Sequence, residues 1–224
     1  AQDVGVYGRQ RDVEVADALG RMDVQIVEAD SPWVVPPGTL RTGDGNALKV
    51  FSAYHRQWRQ QRLPSRVEPP TDVPLVRDVD GDELPDVTPT AEVETLPEPG
   101  ERAAGRALDA FLASAVDDYA SQRNVPAVDG TSRLSASLRF GCLHPRQVMR
   151  RLDGRRADHE TLAKELAWRD FYADVLHERP DSAWHAWNAA MAAMPVDRGA
   201  RADERFAAWC EGRTGFPIVD AGMR

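Results

Sequence analysis

The sequence predicts a short α/β portion that passes, through an acidic proline-rich connection, into a region built only of helices. Three observations predict it. Helix-type spacing over Asp12–Gly20 is followed directly by the apolar run Val24-Gln25-Ile26-Val27, the order found at the end of an open, parallel α/β sheet. Residues 67 to 100 then gather prolines and acids with too little apolar surface to repay ordering around a core of their own. After residue 100 every apolar pattern has a helical period, and none alternates as a strand does. The boundaries read as 1–66, 67–100 and 101–224.

Element by element, Val13, Val15, Ala18 and Leu19 give the first helix its apolar positions, and Val24 to Val27 the strand. Pro36-Pro37-Gly38 and Thr42-Gly43-Asp44-Gly45 are turn signals. Ala47 to Gln61 reads as a helix with Phe51, Tyr54 and Trp58 on one face. The connection follows, with Pro69, Pro70, Pro74, Asp78, Asp80, Asp82, Glu83, Pro85, Pro89, Pro97 and Pro99, and is expected to run over the surface. Glu101 to Tyr119 is predicted as a helix with Leu108, Phe111, Leu112 and Val116 inside. Short helices are expected over Arg133–Phe140 and His144–Leu152, broken by Gly141 and Pro145. Asp158 to Glu178 reads as one long helix with Asp158 as its cap and Pro180 as its stop. Asp181–Met194, Asp203–Glu211 and Pro217–Arg224 complete the helical set, separated by Gly212, Gly215 and Pro217.

The formal net charge of −8 and pI near 5.2 exclude a wholesale nucleic-acid binder. Charge is uneven, however: Arg133, Arg139, Arg146, Arg150, Arg151, Arg155 and Arg156 face the single acid Asp153 in their stretch. That run is either a local basic surface for a phosphate backbone or a solvated helix face. Cys142 and Cys210 are the two cysteines, far apart, which fits reduced thiols better than a disulfide framework. His144, His159, His177 and His185 are scattered without zinc spacing, so no metal is expected. No apolar run approaches membrane-spanning length.

Two stretches carry chemistry. Asp129-Gly130 is a turn, and Thr131, Ser132 and Ser135 bring small hydroxyls to the start of the helix after it. A helix start offers unpaired N–H groups, so this is either a phosphate cradle or an ordinary N-cap. Glu165, Trp168, Arg169 and Tyr172 stand at i, i+3, i+4 and i+7 and share one helix face, with Leu162, Leu166, Ala173 and Leu176 mostly on another. An acid, an indole, a guanidinium and a phenol in a row suit the wall of a cavity that meets a flat polar ring. An internal Glu165–Arg169 pair beside a core tryptophan accounts for the same spacing.

These stretches, read with their neighbours, resemble the photolyase/cryptochrome flavoprotein family, most closely its class I cyclobutane-pyrimidine-dimer members. The resemblance runs in order through Val50 to Trp58, Tyr119 to Pro126, Thr131 to Ser135, Arg139 to Arg146, Glu165 to Tyr172 and Trp209 to Arg224. It implies that residues 1–66 are the C-terminal part of an α/β antenna-type domain, that 67–100 is an interdomain linker, and that 101–224 is the N-terminal part of an all-α FAD-binding domain. The 224 residues would then be an internal piece, ending at Met223-Arg224 inside a helical pattern, and alone are expected to bind FAD poorly and be inactive.

The roles implied by the resemblance are these. FAD lies folded back on itself in the helical domain. Tyr119 contacts its phosphate side, Thr131, Ser132, Arg133, Leu134 and Ser135 hold its diphosphate, and Arg169 lies over the flavin. Glu165 and Trp168 meet a pyrimidine dimer flipped out of UV-damaged DNA, as photolyases as a class require. The implied reaction is light-dependent splitting of the dimer by an electron from excited reduced FAD; the alternative is a cryptochrome that signals blue light without repair. Arg146, Arg150 and Arg151 are the candidates for DNA contacts. A folate antenna is disfavoured, because Tyr7 and Gly8 stand where the family has an Asn-Glu pair; a deazaflavin, a flavin or no antenna remain open. The outermost tryptophan of the family's flavin-reducing chain falls near Gly199, where this sequence has none, leaving Trp184 and Trp187 as substitutes or core residues. The implied protein is a monomer of the bacterial cytoplasm.

Overall fold

A computed structural model describes residues 3–27, 32–68, 70–74, 81, 83 and 96–223. Pro69, Asp78, Asp80, Asp82, Pro85 and Pro89 of the connection, and Arg224 at the end of the last expected helix, lie outside the described residues. The chain divides into two units, Ala1–Pro180 and Asp181–Arg224.

The first unit opens with α1 (Val6–Gly20), which starts before the expected Asp12. Val24 to Val27 is not a strand. Alternation marks a face but supplies no partner for the backbone, and no described residue pairs with this run, which stays exposed. Residues 42–46 form a tight turn closed by the bridge between Arg41 and Ala47, with Thr42 N–H donating to Asn46 O at 2.8 Å. That turn delays the next helix: α2 is Phe51–Trp58, not Ala47–Gln61. Its expected inner face is largely right, with Tyr54 and Trp58 buried and Phe51 half-buried.

The described parts of the connection hold no helix or strand until α3 (Glu101–Ser114). This helix does not run on to Tyr119. The backbone leaves helical geometry at Ala115, makes a 3₁₀ turn over Val116–Asp118, and restarts as α4 (Tyr119–Gln122), burying Val116 and Tyr119. The two following helices are short, α5 (Ser135–Arg139) and α6 (Pro145–Met149). Pro145, expected as a breaker, starts α6 at the position where its missing N–H costs nothing. His144 caps it, accepting from Arg146 N–H at 3.1 Å, while Gln147 Oε1 accepts from His144 N–H at 2.8 Å.

The long α7 (Ala157–Glu178) is the spine of the unit. Leu162, Leu166, Ala167, Phe171 and Val175 sit in one core with Val34, Val35, Leu40, Leu48, Tyr54, Trp58, Leu108, Phe111, Leu134 and Val148. Asp158 is not its cap; the N-cap is Arg156, and the Asp158 carboxylate instead accepts from Ala120 N–H at the start of α4, at 2.8 Å. Pro180 ends the helix as expected.

Segment 32–41 is strapped along α7 by carboxylates one helical turn apart. Asp170 Oδ2 accepts from Val35 N–H and Trp58 Nε1–H, both at 2.9 Å. Asp174 Oδ1 accepts from Gly38 N–H at 2.6 Å, and Glu178 pairs with Arg41 at 2.7 Å. Gly38 has φ +80°, and Thr39 N–H returns to Pro36 O at 3.2 Å, so Pro36–Thr39 is a type II turn whose third residue favours glycine. A Cβ there would stand 2.9 Å from His177 Nε2. Arg146 Nε closes the far side on Val34 O at 3.0 Å.

In the second unit the expected helix Asp181–Met194 is replaced by a 3₁₀ turn over Pro180–Ala183 and by α8 (Ala189–Ala192). Asn188 resets the chain there, its side chain accepting from Ala190 N–H at 2.9 Å. Trp184 and Trp187 are consequently exposed, not core. Two more helices follow, α9 (Ala200–Cys210) and α10 (Pro217–Gly222); Asp220 Oδ1 accepts from Thr214 N–H at 2.7 Å and ties the turn between them. Among the described residues after 100 there is no strand, and no helix is long and apolar enough to cross a membrane.

Asp170 is fully buried, and burial pushes its carboxyl up to about 6 against the opposing hydrogen bonds. The folded state therefore holds the proton more tightly than the unfolded chain does. Its contribution to stability is greatest below the ordinary aspartate range and falls as pH rises toward 6. The full loss is about 3 kcal/mol. Asp170→Asn keeps an acceptor oxygen without the charge, so the difference in urea-denaturation free energy between variant and parent should shift in the variant's favour from pH 4 to 6. A second test concerns Gly130, which is buried; a Cβ there would lie 2.5 Å from Gln122 Cβ. Gly130→Ala should cost about 1–3 kcal/mol by overpacking, read as a lower denaturation midpoint.

Candidate functional site

α7 presents Glu165, Trp168, Arg169 and Tyr172 on the face beside its strap contacts. The internal Glu165–Arg169 pair does not form; each turns to a partner on another segment. Glu165, half-buried, is ion-paired with Arg123, which follows α4. The same Arg123 guanidinium lies 5.5 Å from the ring centroid of Tyr119. Tyr119 is buried edge-on to Phe111 at 5.7 Å, and burial pushes its hydroxyl up. Tyr119, Arg123 and Glu165 are thus one contiguous group.

Trp168 is half-buried and lies almost parallel to Phe51 of α2, with ring centroids 3.5 Å apart. Tyr172 stacks on Trp168 at 5.5 Å and is 62 % exposed, so the aromatic row runs from the core to the surface. Arg169 is half-buried. Its Nη1 donates to Pro32 O at 2.8 Å, and its guanidinium stands 4.2 Å from the ring centroid of Trp33. Neither residue is sealed in an apolar interior.

The loop before α5 differs from the expected helix-start cradle. α5 begins at Ser135 with Leu134 as N-cap and no side-chain cap, and at five residues its dipole contributes little. Thr131 and Ser135 are exposed, Ser132 is half-buried, and Leu134 is drawn into the core. Arg133 adopts φ +50°, left-handed and uncommon for a non-glycine, and Leu134 follows at φ −83°, ψ 0°. A left-handed residue followed by a right-handed one turns successive N–H groups toward one side, as anion-binding nests do. Among the described residues the N–H groups of Arg133, Leu134 and Ser135 make no backbone hydrogen bond outside the helix ladder. The donor set fits a diphosphate through its backbone. The Arg133 side chain is occupied by Asp129 at 2.9 Å.

Part of the basic run is neutralised, by Asp109 and Asp117 from elsewhere in the chain and by Asp153 within it. Arg151 pairs with Asp109 at 2.6 Å, Arg155 with Asp153 at 3.0 Å, and Arg156 with Asp117. Arg150 donates to Pro64 O at 2.6 Å and remains exposed. Arg146 is 6 % exposed and serves the strap, which removes it from any DNA-facing surface. A cavity of about 470 Å³ lies between α1 and the strap, lined by Asp3, Arg9, Asp12, Trp33, Pro37 and His177 among others; the loop at 131–135 does not line it.

Sequence reasoning gave no role to Arg123, Phe51, Trp33 or the carboxylates of Asp170 and Asp174. The i, i+4, i+8 spacing of Asp170, Asp174 and Glu178 was a readable signal for the last of these. The others depend on contacts between distant segments.

Comparison with known proteins identifies the family. Residues 161–224 match the family model described as the FAD binding domain of DNA photolyase, and residues 1–74 match the DNA photolyase model. A deoxyribodipyrimidine photo-lyase of a Synechococcus strain is 34 % identical over 100 % of this chain and 50 % of its own length. That of Escherichia coli is 35 % identical over 98 % of this chain and 48 % of its own. The chain therefore spans about half the length of the curated relatives it matches. A crystal structure of a bacterial class III photolyase from Agrobacterium tumefaciens superposes with a TM-score of 0.76 at 26 % identity, covering 99 % of this chain and 48 % of that one. A Synechocystis cryptochrome shares the fold, with a TM-score of 0.73 at 20 % identity over 99 % of this chain and 49 % of that one. The chain carries part of an FAD-binding domain and belongs to the photolyase/cryptochrome family.

Proposed function

We propose that this chain serves a light-dependent DNA photolyase that splits cyclobutane pyrimidine dimers with FAD. The observation that carries the reading is the row Glu165, Trp168, Arg169 inside the segment matching the FAD binding domain of DNA photolyase. It stands in a chain 34–35 % identical, over nearly its whole length, to deoxyribodipyrimidine photo-lyases.

In this reading the FAD diphosphate rests on the N–H groups of Arg133, Leu134 and Ser135, with the hydroxyls of Thr131, Ser132 and Ser135 as further donors. Tyr119 lines the phosphate side, and Arg169 lies over the flavin. FAD, when bound, supplies the light-driven electron transfer; the protein sets distance and orientation and excludes water. Arg123 holds the Glu165 carboxylate in one direction. So fixed, Glu165 can accept from a pyrimidine N–H of the flipped dimer, while Trp168 packs on its ring. Phe51 backs Trp168 and keeps the indole plane in place. Arg150 and Arg151 are the remaining candidates for the DNA backbone, since both stay exposed, and Arg151 would have to exchange its pair with Asp109 for a phosphate.

We also read residues 1–66 as the end of an α/β antenna-type domain, 67–100 as the interdomain linker and 101–224 as the first part of the FAD-binding domain, supported by the DNA photolyase match to residues 1–74. Tyr7 and Gly8, at the positions where the family has an Asn-Glu pair, offer no carboxylate to a folate, which disfavours a folate antenna. A deazaflavin, a flavin or no antenna are the readings left. The working protein is a monomer of the bacterial cytoplasm.

The experiment is repair of a dimer-containing oligonucleotide by the reduced, intact protein that contains this chain, followed as recovery of absorbance near 260 nm. Blue light should be required, and Glu165→Ala should slow repair about tenfold or more. Equal recovery in the dark refutes the reading. FAD binding without light-dependent repair favours a cryptochrome-type signalling protein. A further test addresses the diphosphate. Arg133→Gly keeps the left-handed backbone and should retain FAD affinity, whereas Arg133→Val should weaken it about tenfold, or about 1.4 kcal/mol, in equilibrium dialysis.

A further inference from the structure

We propose that Trp33 is a positioning residue for Arg169, fixing its guanidinium so that the face away from the indole is free to stack on a flat ring. The proposal rests on the reading that Arg169 lies over the flavin, and it adds to that reading a residue from the other matched segment of the chain.

The geometry is specific. An arginine side chain is long and costly to immobilise, and a guanidinium that is to lie over a ring must be held in its plane beforehand. Two contacts from the strap do this. Pro32 O accepts from Nη1 at 2.8 Å, which fixes one in-plane direction. The Trp33 ring, 4.2 Å from the guanidinium carbon, fixes the plane itself. Asp170 Oδ1, 3.8 Å from Nη1, supplies the nearest negative charge, and Arg139 contributes repulsion. Trp33 cannot drift, because the residues after it are anchored on α7 through Val35 N–H on Asp170 and Gly38 N–H on Asp174, and Val34 O is held by Arg146. A guanidinium covered by an indole on one face retains the other for a second π system, so the arrangement suits a sandwich of indole, guanidinium and isoalloxazine.

The test uses the intact protein that contains this chain, with Trp33→Ala, Trp33→Phe, Trp33→Leu, Arg169→Ala and the Trp33→Ala/Arg169→Ala double variant. FAD affinity is measured by equilibrium dialysis, and the Arg169 Nε–H resonance by NMR without FAD. Trp33→Ala should weaken FAD about three- to thirtyfold, the range of a partly buried cation–π contact. Trp33→Phe should recover most of that loss, and Trp33→Leu, which restores bulk without a π face, should not. Trp33→Ala should add nothing in the Arg169→Ala background. The Arg169 Nε–H resonance should carry an upfield ring-current shift in the parent and Trp33→Phe proteins and lose it in Trp33→Leu. Additive losses, equal recovery by Leu and Phe, or a resonance indifferent to residue 33 overturns the proposal. An Arg169→Ala protein with undiminished FAD affinity refutes instead the placement of Arg169 over the flavin, while the resonance still decides whether Trp33 holds it.

Discussion

The first unit depends on a row of carboxylates laid along one helix. Asp170, Asp174 and Glu178 recur every fourth residue, so α7 sets them on one side, one turn apart. Each meets a donor from the segment 32–41. Burying a carboxylate as deeply as Asp170 is unfavourable, and it is tolerated here because one oxygen takes two N–H donors and a guanidinium stands close to the other. The loss of any one donor would leave a buried charge with one fewer compensating dipole. This makes the docking of the strap specific in register as well as in place.

The same helix carries the candidate site on its adjoining face. Arg169 precedes Asp170 directly, so the residue that binds the strap and the residue read as facing the flavin cannot move independently. Glu165 lies one turn earlier and is tied to Arg123, and through it to Tyr119. Trp168 is tied to α2 through Phe51. The site is thus assembled from three separate stretches around a single rigid element. The backbone nest at Arg133 is a fourth, with Leu134 drawn into the core beside it.

Much of this was legible in the residues. The length of α7, its stop at Pro180, the inner face of α2 and the turn at Pro36–Gly38 all follow from local rules, because period, proline and glycine act over a few residues. That Glu165, Trp168 and Arg169 share one helix face was legible for the same reason. What local rules missed was decided at a distance. Val24 to Val27 has strand-like alternation, but a strand exists only with a neighbour. Asp158 looks like a cap, yet its carboxylate is claimed by Ala120, 38 residues earlier. Arg146 belongs to a basic run in sequence and to a buried backbone contact in space. The arginines around it look like a positive surface until Asp109 and Asp117 are placed beside them.

The strap has one more implication, for how the polypeptide becomes ordered. Composition marks a break between residue 66 and residue 101, as though two modules had been joined. Yet α7 without residues 32–58 would expose the side chains of Leu166 and Phe171 together with carboxylates shaped for amides that are no longer there. The helical portion is therefore not autonomous: its principal helix reaches its final surroundings only when a stretch more than one hundred residues upstream has arrived. Contacts of that sequence separation are made late and slowly, so ordering of the proposed cofactor face should be one of the last events as the chain matures.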